Sequence, residues 1–143
     1  MKRFSFNLQK LLELREFEEK NAKTALAAAI SEADRIKADL HNLAAERVRV
    51  NKNRNDRVDV RTLMALENYV KRLDVKKDEL LENLAASELL IEQRRELFKI
   101  AMQKSSVLHK LKEKQFFTWR KENTKAEESA LEDAAYSQKY GAV

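Results

Sequence analysis

The stretch Ala22-Lys-Thr-Ala-Leu26-Ala-Ala-Ala29-Ile-Ser-Glu-Ala33-Asp-Arg-Ile36-Lys-Ala-Asp-Leu40-His-Asn-Leu43 sets an apolar residue four, then three, positions after the last. A strand would alternate with a period of two, and a helix lying on a globular core would carry a wider apolar face. Steps of three and four average to 3.5 residues, which keeps the apolar side chains on one narrow stripe. That stripe is the seam of a coiled coil. It extends back through Leu12 to Leu8 and forward to Val50. After residue 60 it resumes with Leu66, Val70, Leu73, Leu80, Leu84, Ile91, Phe98, Ala101 and Leu108.

Between the two series lies Asn51-Lys-Asn-Arg-Asn-Asp-Arg-Val-Asp59, where three Asn and two Asp mark the one turn-like stretch. The pattern predicts a helix over residues 6–50, a hinge over 51–61 and a longer helix over 62–137 with Thr62 as its N-cap. At 1.5 Å per residue these would span roughly 65 and 110 Å. A short connection between two heptad helices gives an antiparallel hairpin. The fold class expected is therefore all-α: an antiparallel coiled-coil hairpin with the second helix longer, forming one domain over residues 1–143. Partners whose numbers sum to 113 would set Ala29 against Leu84, Ala33 against Leu80 and Leu12 against Ala101, small opposite large. Sliding by one heptad in either direction also keeps the seams matched. Polar seam residues (Arg15, Arg47, Lys77, Ser105, Lys112) weaken the pairing locally.

Composition agrees with long helices. Charged residues make up 37%, proline is absent, and Gly141 is the single glycine, so sheets and tight turns lose their usual punctuation. The regular seam argues against disorder. No cysteine is present, which excludes disulfides and thiolate chemistry. No segment approaches the ~20 apolar residues needed to span a bilayer, and the opening is not a secretory signal; a cytoplasmic protein is expected.

Charge is uneven. Residues 47–61 carry six basic against two acidic groups, and residues 94–125 carry ten against three. Residues 126–143 reverse sign, with Glu127, Glu128, Glu132 and Asp133 against Lys139. Such basic stretches are solvated helix faces, or they attract acidic proteins or nucleic acid. No nucleic-acid reading motif accompanies them, and no nucleic-acid partner is expected.

Enzymatic chemistry finds no footing. A phosphate cradle needs several glycines. His41 and His109 lack the partners of a triad or metal site; Glu113 lies one turn from His109, but ligands from one helix do not complete a site. Acidic pairs such as Glu18-Glu19 and Glu127-Glu128 fall on solvated faces that cannot raise a carboxyl pKa. The expectation is a binding protein without catalytic residues, cofactor or metal, and a monomer.

Unpaired aromatics are the candidate binding residues. Phe4 and Phe6 precede the seam, while Phe116, Phe117 and Trp119 lie past the part of the second helix that the first can cover. A hairpin brings both groups to its open end. They mark an interface there or pack on one another as a terminal plug. Met64 and Tyr69 lie beside the seam near the hinge.

The opening Phe4-x-Phe6-x-Leu8-Gln9-Lys10-Leu11-Leu12-x-Leu14-Arg15-Glu16, the Ala-rich heptads and the polar hinge resemble the FliJ family of flagellar export proteins. So do Leu108-x-x-Leu111-Lys-Glu-Lys114 and the acidic end. The resemblance covers nearly the whole chain. It implies a non-enzymatic component of the bacterial flagellar type III export apparatus, similar in fold to the central stalk of rotary ATPases. The implied partners are the hexameric flagellar export ATPase, the cytoplasmic part of the export gate membrane protein, and export substrate chaperones. It further implies a cytoplasmic protein held peripherally at the export apparatus of the inner membrane. A gate contact would use Tyr69 and Leu73, which match an aromatic-x-x-x-leucine pattern on the second helix. The equivalent stalk of a virulence-type injectisome, or a generic coiled-coil scaffold, fits the same residues.

Overall fold

The computed structural model of the protein describes residues 3–55 and 59–141. Two helices, α1 (Gln9–Arg54) and α2 (Val60–Tyr140), account for nearly all of them and pack against each other as an antiparallel pair, with no strand among the described residues. The helices form because no proline and no internal glycine interrupts them, and because a continuous apolar stripe gives each one a face to bury.

Helix ends depart by a few residues from those expected, for local reasons. Phe6 is drawn into the core, and the Phe6 carbonyl accepts from the Gln9 amide at 3.1 Å in a turn, so α1 starts at Gln9. At its other end α1 runs on through Asn51–Arg54, where Lys52 and Arg54 in the last turn suit the negative end of the helix dipole. The α2 cap is Asp59, not Thr62. The Asp59 carboxylate accepts from the Thr62 amide at 2.9 Å, satisfying an otherwise orphan donor of the first turn. Hydrogen bonding from Thr62 holds the Asp59 carboxyl below its ordinary pKa. Asp56, Arg57 and Val58, expected within the hinge, lie outside the described residues.

The chain forms two compact units. One comprises Asn21–Lys99. Its core is Ile36, Leu43 and Leu80, flanked by Leu40, Leu73 and Leu84. Ala29, Ala33, Val50 and Val70 are also buried. Ion pairs Arg47–Asp74 and Arg54–Glu67 join its two helical stretches. Ser87 is buried within it at 7% exposure, and its hydroxyl has no partner. The other unit comprises residues 1–20 and 100–143. There Phe6, Leu12 and Leu108 form the core, with Phe4, Leu8, Leu11 and Leu111 against it. Leu12, at 1% exposure, is its most buried large side chain.

These contacts correct the pairing. Leu12 shares its cluster with Leu108, not Ala101, so its pairing sum is 120. In the unit spanning Asn21–Lys99 the cross-helix ion pairs Arg47 with Asp74 and Arg54 with Glu67 sum to 121. The true alignment thus lies one heptad beyond the expected one. The shift supplies a carboxylate to Arg47, a seam residue that the sum of 113 would have left facing Leu66. It also brings Val50 level with Val70, both buried.

Candidate partner interface

Three candidate aromatics meet in the unit built from both termini. Phe116 and Trp119 stand three residues apart on α2, so they share a face; their rings stack at 5.8 Å with 26° between planes. Phe4, in the segment before α1, sets its ring edge against Phe116 at 5.2 Å and 77°. It also lies 5.8 Å from Trp119. Edge-to-face and offset packing of this kind follows the aromatic quadrupole and adds about 0.5–1.5 kcal/mol per pair beyond area burial. Phe4 and Trp119 of this cluster line a groove of about 540 Å³, shared with Leu111, Lys114, Thr118 and Glu122.

The other two candidates do not join it. Phe6 belongs to the core. Phe117, one residue past Phe116, points about 100° away around the helix and stays 70% exposed. It shares a shallow groove of about 420 Å³ with Arg120, Lys121, Thr124, Lys125 and Glu128, all on α2. The terminal aromatics therefore divide three ways: a core residue, a mutually packed trio, and one projecting ring.

In the unit spanning Asn21–Lys99, Tyr69 and Leu73 sit on one face of α2. The Tyr69 hydroxyl donates to Glu46 Oε1 at 2.9 Å, and the Arg72 guanidinium lies 5.7 Å over its ring. Glu46 also accepts from Arg49; Arg49 first and Tyr69 second hold its carboxyl below the ordinary range. The hydrogen bond to the same carboxylate raises the Tyr69 phenol, because ionising it would remove the donated proton; burial and the adjacent negative charge add to this. Leu73 is half-buried against Ile36, Leu43 and Leu80. Met64 is exposed.

Two features escaped the sequence reading. Leu14 and Phe17, the latter 60% exposed, form an apolar pair on α1. They were detectable as large apolar residues off the Leu8-Leu12-Arg15 seam. His109 does not turn to Glu113; its Nε2 lies 2.9 Å from Glu16 Oε1 across the helix pair, a contact that required the correct alignment. Among the described residues no cluster of three His, Asp or Glu side chains could hold a metal ion, and no helix is long and apolar enough to cross a membrane.

The described residues thus form a helical pair with apolar rings gathered on its surface. The family model for the flagellar FliJ protein matches residues 4–140, nearly the whole chain, and the protein belongs to that family. It is a component of the flagellar export apparatus. No curated protein and no solved structure matches the chain.

Proposed function

We propose that the protein acts without catalysis of its own, as a stalk that binds the hexameric flagellar export ATPase, contacts the cytoplasmic part of the export gate, and escorts export substrate chaperones. These partners hold it peripherally at the inner membrane. The observation that carries this reading is the aromatic trio Phe4, Phe116 and Trp119 lying on the surface, with Phe117 beside it, in a chain that matches the FliJ family. Past Trp119, α2 is exposed almost throughout, so this part of the chain has apolar and helical surface to give to a partner. A single asymmetric helical body inside a ring of six touches its subunits unequally, and unequal contacts bias their conformational equilibria. The gate contact falls on the exposed edge of Tyr69 and on Leu73.

Replacing Phe116, Phe117 and Trp119 together with serine is the test. Binding and stimulation of the export ATPase should be lost, with helicity by circular dichroism retained. Full stimulation by the triple variant would overturn the assignment.

A further inference from the structure

The projecting ring and its surroundings carry more than a general stickiness. Phe117, Lys121, Thr124 and Glu128 follow one another at steps of four, three and four, and so lie on one stripe of α2, flanked by Arg120 and Lys125. Hydroxyl groups on this part of the helix turn inward: Thr124 donates to the Arg120 carbonyl at 2.9 Å and Thr118 to the Lys114 carbonyl at 3.0 Å. What faces outward is one aromatic ring among three cations, with Glu128 closing the C-terminal end of the stripe. Among the described residues, Arg120, Lys121 and Lys125 form no ion pair, Lys125 in spite of Glu122 and Glu128 three residues to either side, whereas Arg15, Arg35, Arg49 and Arg95 each pair with the carboxylate three residues away.

We infer that this stripe is a docking face for an acidic protein surface: Phe117 fills an apolar notch, and Arg120, Lys121 and Lys125 pair with carboxylates around it. The inference rests on the ATPase-binding reading above and names the chemistry of that contact. Charge complementarity selects the occupant. Glu127, Glu128, Glu132 and Asp133 follow on the same helix within one to three turns. A phosphate surface, lipid or nucleic acid, is negative throughout and would press against those four carboxylates. A protein surface can be acidic opposite residues 117–125 and neutral or basic opposite residues 127–133. A desolvated ring ringed by charge pairs is also the usual anatomy of a binding hot spot. The contact should steer association as well as hold it.

The experiment measures binding of the full chain to the purified export ATPase at several salt concentrations. Changing Arg120→Glu, Lys121→Glu and Lys125→Glu together should weaken binding by at least about tenfold and flatten its salt dependence. The corresponding change to glutamine should fall between. Phe117→Ser should weaken binding with the salt dependence kept, and Glu79→Gln, exposed in the other unit, should change nothing. Circular dichroism confirms that each variant stays helical. Wild-type binding that ignores the charge reversal would overturn this inference and leave the stalk reading standing. No binding by the wild-type chain would overturn both. Equal binding to vesicles of phosphatidylcholine and phosphatidylglycerol in equal parts, or to duplex DNA, at physiological salt would also overturn it, since the stripe would then be a general polyanion surface.

Discussion

Leu12→Ala is the sharpest test of how the terminal unit is held together. Among the described residues Leu12 is the one large side chain at 1% exposure, and its cluster with Phe6 and Leu108 carries the pre-helical arm through Phe4 and Leu8. Truncating a fully buried leucine costs about 2–5 kcal/mol, with the lower values where the site can collapse around the gap. A seam between two helices is bounded by few neighbours and collapses readily, so about 2–3 kcal/mol is expected here. Trp119 is the only tryptophan in the chain, and it packs on Phe4 and Phe116 in the same unit. Its emission therefore reports this unit specifically. With a urea slope of about 1–1.5 kcal/mol per molar for a small unit, the fluorescence midpoint should fall by roughly 1.3–3 M. If the wild-type midpoint lies lower than that, the variant's tryptophan should be red-shifted already in buffer. Ile36→Ala, in the core of the other unit, serves as the contrast: it should lower the circular dichroism transition. A Leu12→Ala variant whose tryptophan midpoint moves by less than about 0.3 M would refute the account of this core.

Further outcomes follow from other contacts. Phe4→Ala removes one wall of the trio, and Trp119 emission should shift to the red with helical content unchanged. Asp59→Ala removes the α2 cap, and amide exchange at Thr62 and Leu63 should quicken several-fold. Because the Asp59 pKa is depressed in the folded chain, the cap's contribution is present above the ordinary aspartate range; it is lost as pH falls through the lower folded value, so wild-type exchange at these amides should approach that of the variant in acid. Tyr69→Phe should let the Glu46 carboxyl rise towards its ordinary pKa, read by carbon-detected NMR titration, though not fully, since Arg49 remains. In the wild type the Tyr69 phenol should ionise above the usual tyrosine range. Its share of stability, full below that range, should disappear as pH climbs through the raised value.

The alternation of three and four along Ala22–Leu43 made both helices and their antiparallel pairing legible before any coordinates. The alignment was not legible, for a physical reason: a heptad seam is nearly unchanged by a seven-residue slide, and only residues that break the repeat tell the choices apart. Arg47 and Asp74 are such residues, as are Arg54 and Glu67, but their pairing is plain only after the fact. The same slide decided the candidate site. With a sum of 113, Phe4 would stand level with His109; with 120 it stands level with Phe116, and the trio closes. Sequence could list the rings that lie off the seam, but not which of them would find one another or, as with Phe6, be drawn into the core. The N-cap was misplaced because Asp59 and Thr62 are both good caps at the right spacing, and the aspartate, three residues earlier, captures the threonine's amide.

Ser87 remains as a small loose end inside the unit spanning Asn21–Lys99. Its hydroxyl gave up water on folding and took nothing in exchange, so the seam carries a built-in softness at that level. Alanine there should harden the fold against heat without altering any outward surface, which makes this position a dial for asking whether a firmer helical pair still serves export. If a hardened variant exports poorly, then some slackness at the middle of the chain belongs to the working machine and is no accident of packing.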